Sequence, residues 1–165
     1  MEHFPSTLSR AGSDALARRA RAAVDEQGWG LWAVEAEDGA FCGFVGLARP
    51  RFEARFTPCV EVGWRLARAT WGRGYAPEAA RRALTFGFEE LGLDEVVSFT
   101  VPANLRSRRV MEKLGMSHDP GDDFVHPRFP DDPRMGPHVL YRMSRDRWQL
   151  AVRPGRGRPA GARGG

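Results

Sequence analysis

The 165-residue chain is poor in the residues that staple or anchor a fold. It has two cysteines, Cys42 and Cys59, set in apolar segments without C-x-x-C spacing or a neighbouring histidine cluster. That leaves no ligand set for a structural zinc, so no metal is expected and buried thiols are. No apolar run approaches the ~18 residues that cross a bilayer, which argues against a membrane partner. The opening MEHFPSTLSRAGSD lacks the basic-then-apolar order of a secretory signal, and a cytoplasmic protein is the expectation. Lysine is nearly missing too: Lys113 is the sole one, and arginine supplies the remaining positive charge. This reads as coding bias rather than function.

What is present fits one soluble domain. The chain is 42% hydrophobic and 28% charged, and 165 residues suffice for a core without staples. The net charge of +4 is carried by Arg153, Arg156, Arg158 and Arg163 in a stretch with no acid. The body is therefore close to neutral, and no nucleic-acid partner is expected. We divide the chain into a domain over 1–150 and a disordered Gly/Pro/Arg tail over 151–165.

Helix-like and strand-like patterns alternate, as in an α/β domain. Residues 9–26 read as a helix stopped by Gly28. Residues 29–37 and 41–49 read as strands of a hairpin turning at Asp38-Gly39, and 59–67 as a third strand. A helix over 75–91 carries Ala76, Ala80, Leu84, Phe88 and Leu91 at three- and four-residue steps, with Pro77 in its first turn. Residues 94–101 are too β-branched for a helix. Asn104 suits the N-cap of a helix through Leu114, with Gly115 as its stop. A loop rich in proline and acids fills 119–136, and 139–143 reads as the last strand.

The most informative segment is strand, turn and helix: VEVGWRLA followed by RATWGRGYAPEAA. Gly72 and Gly74 permit a sharp bend, and the helix that follows opens with unpaired N–H groups and the positive end of its dipole. Such a site holds an anion. Arg73 and Arg68 are placed to add charge at its rim. By itself G-x-G before a helix also describes an ordinary tight turn. The Walker form is excluded because no Gly-Lys-Ser/Thr follows, and the Rossmann form because position 77 is proline.

At these residues the chain resembles the GNAT superfamily of N-acetyltransferases, and within it the branch of the ribosomal-protein N-terminal acetyltransferases. Three ordered segments carry the likeness. Glu61-Val62-Gly63-Trp64-Arg65-Leu66 is similar to the family's fourth strand. Trp71-Gly72-Arg73-Gly74-Tyr75-Ala76 resembles its Q/R-x-x-G-x-G/A signature. Asn104-Leu105-Arg106-Ser107 and Glu112-Lys113-Leu114-Gly115-Met116 are similar to the branch's N-x-x-S and E-K-L-G-F/M elements. The resemblance implies a mixed, mostly antiparallel sheet whose central parallel strands splay apart, flanked by helices. It implies acetyl-CoA as cosubstrate, contacted by Arg65, Leu66, Trp71, Gly72, Arg73, Gly74, Tyr75, Ala76 and Asn104. Trp71 stands where Gln or Arg is usual, as the branch often allows, so no side-chain contact to phosphate is assigned there. Family members also open with a strand and a helix, ~25 residues on ordinary element lengths, ahead of the first helix read here. Their apparent absence would leave residues 29–37 as a sheet edge, to be covered by upstream residues or by another chain, such as a homodimer partner.

The implied reaction is direct attack of a primary amine, on a protein N-terminus or a small molecule, upon the acetyl thioester. An α-amine titrates near 8, so about 1.4 kcal/mol frees it at pH 7, against over three times that for a lysine near 10.4. Weak base catalysis suffices. Glu61, a lone acid on an apolar strand, is the candidate base; a solvated or Arg65-paired glutamate is the other reading. Ser107 is the candidate hydrogen-bond donor to the departing thiol, or else a helix-start serine bonded to backbone. A main-chain N–H near Leu66 suits the oxyanion. His118, His126 and His138 are assigned to loop structure or substrate contact, and Tyr75 and Tyr141 to packing. A coenzyme-binding module without catalysis, and a structural domain in which GRG is only a turn, stay open as alternatives.

Overall fold

The computed structural model describes residues 9–152. The elements are α1 (Arg10–Gln27), β1 (Leu31–Glu35), β2 (Phe41–Ala48), β3 (Glu61–Leu66), α2 (Tyr75–Thr85), β4 (Glu95–Thr100), α3 (Leu105–Leu114), β5 (Ser117–His118), β6 (Phe124–Val125), β7 (Pro137–Ser144) and α4 (Arg145–Val152). The sheet runs β1-β2-β3-β4-β7-β5, with β6 also on β7. All its pairings are antiparallel except that of β3 with β4. The mixed sheet with one parallel pair matches the expected architecture.

Local chemistry accounts for most boundaries. Ser9 caps α1 by accepting from the Gly12 N–H at 3.1 Å, and Gly28 ends it in the left-handed region at φ 81°. Asp38 accepts from Ala40 N, and Gly39 at φ 79° turns β1 into β2. Asn104 Oδ1 accepts from Ser107 N to start α3, and Gly115 at φ 84° stops it. β1 is an edge strand among the described residues. Beside it, under α2, lies a groove of about 630 Å³ floored by Trp32, Val34, Ala79 and Phe86.

Three features depart from the sequence expectation. The helix read over 75–91 is α-helical only to Thr85, then widens into a π-turn over Phe86–Glu90. The extra residue lets Phe86 meet Trp32 at 5.5 Å while Phe88 stacks on Trp148 at 5.6 Å. Trp148 belongs to α4, a helix that the periodicity did not suggest; Ser144 Oγ accepts from Arg147 N in its first turn. α4 also takes in Ala151 and Val152, while the remainder of the expected tail lies outside the described residues. Finally, the loop over 119–136 contains β6 and is tied down by Arg142, which bonds Asp122 and Glu95 at 2.7 Å each.

The core lies between the sheet and the helices α2, α3 and α4, where Leu47, Leu84, Val96 and Met143 are fully buried. A second, aromatic cluster covers the other face of β4: Phe52, Phe99 and Phe124 pack around His126. Gly43 of β2 is packed directly against the β3 backbone. It sits at φ 138°, and a Cβ there would lie 2.2 Å from the Arg65 carbonyl oxygen. Gly63 is different: the nearest atom to a Cβ is Glu61 Oε1 at 3.9 Å. Gly43→Ala is therefore expected to lower unfolding stability by about 3 kcal/mol, combining strain with overpacking. Gly63→Ala should stay within about 1 kcal/mol of the parent. Urea midpoints of the two variants check this, and equal midpoints would contradict it.

Candidate active site

β3 and β4 share a single bridged pair, Glu61 with Val97, where Val97 N donates to the Val60 carbonyl at 2.9 Å. Beyond it each strand follows its antiparallel partner, β3 with β2 as far as Leu66 and β4 with β7 as far as Thr100. The result is a fork. Because Ala67 N bonds the Cys42 carbonyl, ladder alternation turns the main-chain groups of Gly63 and Arg65 toward β2. Those of Trp64 and Leu66 are turned into the fork. One of them is engaged: the Trp71 indole Nε1 donates to the Leu66 carbonyl at 2.9 Å.

A cleft of about 360 Å³ opens at this fork. β3 contributes Trp64, Arg65 and Leu66, and the turn contributes Trp71, Gly72, Gly74, Tyr75 and Ala76. Gly72 and Gly74 have φ of 77° and 87°, which explains glycine at both positions. Gly74 is the N-cap of α2 with no side-chain cap bond, so the N–H groups of Tyr75 and Ala76 have no partner within the helix. Pro77 has no N–H to satisfy. α3 forms the opposite wall with Asn104, Arg106, Ser107, Arg109 and Lys113. Of the expected contact residues only Arg73 is outside the lining; its guanidinium lies over the Tyr75 ring at 6.0 Å.

The cations of the cleft come mainly from α3, which the sequence analysis did not single out. Residues 106, 109 and 113 are spaced to share one helix face, and that spacing was the available signal. Arg106 lies with its guanidinium carbon 4.6 Å from the Trp71 ring centroid. Ser107 Oγ accepts from both Asn104 Nδ2 at 3.0 Å and Trp64 Nε1 at 3.3 Å. Both neighbours are donors, so the hydroxyl's own hydrogen is left to be given away.

Glu61 is not in the cleft. Strand alternation puts it with Gly63 and Arg65 on the face opposite Trp64 and Leu66. It is half-buried and has no hydrogen bond or ion pair among the described residues. Burial pushes its carboxyl up to about 7. Space stays open above Gly63, directly beside the carboxylate. Two residues back, burial and then the charges of Glu61 and Glu95 push the Cys59 thiol up to about 11, so it stays protonated. Cys59 is half-buried, whereas Cys42 is buried as expected.

His118, His126 and His138 lie outside the cleft lining. His118 Nε2 pairs with Asp123 Oδ1 at 2.8 Å and its ring stacks on Tyr141. Burial, with the neighbouring His138, lowers His126 to about 4, and burial also lowers His138. Both sit among phenylalanines. Tyr141 is buried and donates to Glu112 Oε1. Among the described residues no group of three or more His, Cys, Asp and Glu side chains is placed to hold a metal ion, and no helix is long and apolar enough to cross a membrane.

The chain is similar to several known proteins. The chain is 36% identical over 139 residues to the FsC-acetyl coenzyme A-N(2)-transacetylase of Aspergillus fumigatus, covering 80% of this chain and 57% of that one. It is 38% identical over 97 residues to the Bacillus subtilis protein YkkB, covering 57% and 55%. The chain thus spans little more than half the length of these relatives. Among solved structures, an acetyltransferase from Agrobacterium tumefaciens superposes with TM-score 0.65 at 28% identity, over 86% of this chain and 76% of that one. The ribosomal-protein-S5-alanine acetyltransferase of Vibrio fischeri, 16% identical, shares the fold at TM-score 0.68, over 88% and 80%. The family model described as the acetyltransferase (GNAT) domain matches residues 1–117. With that model matching well over half of its residues, the chain belongs to the GNAT acetyltransferase family.

Proposed function

We propose that the protein is an acetyl-CoA-dependent N-acetyltransferase that acetylates the α-amine of a protein N-terminus or small molecule, by direct attack of that amine. The carrying observation is the fork, with an anion-binding cleft on one face and an isolated carboxylate beside open space on the other. The cleft suits the coenzyme in its donor set. The unpaired N–H groups of Tyr75 and Ala76 and the α3 cations match phosphates, and the inward main-chain groups of Trp64 and Leu66 match an amide-bearing arm. When bound, acetyl-CoA supplies an activated acetyl thioester.

The protein's own groups do the rest. Glu61 takes the amine proton, directly or through one water, as the new N–C bond forms. A base near 7 is well matched to an α-ammonium near 8 and poorly to a lysine near 10.4. The Leu66 N–H, aimed into the fork, stabilises charge on the carbonyl oxygen. Ser107 donates a hydrogen bond from its hydroxyl to the sulfur as the C–S bond breaks; the departing thiolate takes its proton from solvent, and Glu61 returns the amine proton there. The Aspergillus relative is named for transacetylation from acetyl coenzyme A to an N(2) position, which suits an amine acceptor. The motif likeness to the ribosomal-protein branch favours an N-terminal α-amine.

Coenzyme binding is checked without turnover. CoA should raise the melting temperature progressively with ligand excess. Gly74→Asp should weaken binding in calorimetry about 100-fold by placing a carboxylate against the diphosphate. Gly74→Asn, of equal shape and similar tolerance of positive φ, should cost far less. Equal affinities for the two variants would remove the coenzyme assignment.

Catalysis is checked by pH. Turnover should rise with pH through about 7 as Glu61 ionises. Glu61→Gln should lose this limb and be slower by about 100-fold at pH 7, less at pH 9, where the amine is already neutral. Stability should move oppositely. A carboxyl raised from 4.5 to about 7 is harmless below 4.5 and increasingly destabilising as pH rises through 7. The glutamine variant should therefore melt above the parent at pH 8 and level with it at pH 4. A variant equally slow at both kinetic pH values would sink the general-base role.

A further inference from the structure

The position that the family signature gives to Gln or Arg is held here by Trp71, which has no charge to offer a phosphate. Trp71 is nevertheless fixed in two directions. Its ring edge donates to the Leu66 carbonyl at 2.9 Å, and its face carries the Arg106 guanidinium at 4.6 Å. Arg106 comes from the first turn of α3, across the cleft from the glycine turn, and both line the same space. A guanidinium placed over an indole is attracted by the ring face and is weakly hydrated, and its N–H donors point outward around its plane. That is an arrangement for bidentate recognition of a phosphate.

We propose that Arg106, laid on Trp71, is the cation that recognises a phosphate of the coenzyme's nucleotide half, doing from α3 what a basic residue at position 71 would do from the turn. Trp71 acts as a positioning residue with two separable functions. Its N–H holds the end of β3 through the Leu66 carbonyl, and its face orients Arg106. The inference rests on the coenzyme reading above, and the two are told apart by the choice of ligand.

The experiment is calorimetry of the full chain with CoA, dephospho-CoA and pantetheine, the last lacking every phosphate of the nucleotide half. Arg106→Gln should weaken CoA about 10-fold and pantetheine less than 2-fold, the size of one charge-assisted bond. Arg106→Lys, charged but unable to lie flat, should recover only part of the loss. Trp71→Phe keeps a ring face and should preserve the preference for CoA over pantetheine, whereas Trp71→Leu should reduce it toward that of Arg106→Gln. A loss retained with dephospho-CoA assigns the diphosphate, and a loss confined to CoA assigns the 3′-phosphate; each supports the proposal. Arg106 is exposed, so its variants should melt with the parent. Unchanged CoA affinity in Arg106→Gln, or equal weakening of CoA and pantetheine, overturns the role of Arg106 and leaves the coenzyme site standing. Failure of the parent protein to bind CoA overturns both.

Discussion

The site depends on two neighbouring strands that pair once and then part. In an ordinary parallel ladder the main-chain groups of Trp64 and Leu66 would be consumed by β4. Here β2 and β7 hold β3 and β4 over six paired residues each, against one bridged pair between them. The antiparallel partners dictate the directions and the parallel pair yields. Unpaired main-chain groups inside a protein are costly unless satisfied. Trp71 answers for the Leu66 carbonyl, and the indole of Trp64 is answered by Ser107. The remaining inward groups are what a ligand can use.

The fork also sorts charge. Cations gather on the α3 wall and the lone carboxylate stands on the opposite face. Had Glu61 shared the cleft with Arg106, Arg109 and Lys113, their field would have lowered its titration. Separated from them by the thickness of the sheet, it responds to burial alone and rises to about 7. Strand alternation, a two-residue period, thereby decides whether this glutamate titrates as an ordinary carboxylate or near neutrality.

Much of this was legible in the residues. Gly28 and Gly115 marked helix ends because only glycine takes the left-handed position cheaply. Asp38-Gly39 marked its hairpin, and the order of strand, glycine turn and Pro-bearing helix marked the turn that lines the cleft. What escaped was whatever requires distant partners. The π-turn at Phe86–Glu90 follows from two aromatics seeking Trp32 and Trp148, which lie 54 and 60 residues away in sequence. α4 is amphipathic mainly through the single buried Trp148, too little for a periodic signal. The His126 and His138 environments arise from phenylalanines scattered between residues 52 and 129, so local sequence gave no hint that both are kept neutral. Arg106 is one of many helix-surface arginines in this chain, and its contact with Trp71 is what distinguishes it.

The two faces of the fork can change independently. The cleft is walled by β3, the glycine turn and α3, whereas Glu61 and the space beside Gly63 lie on the opposite face of β3. In the proposed reaction, substitutions around Gly63 could therefore retune the acceptor side while the α3 wall and the glycine turn stay as they are.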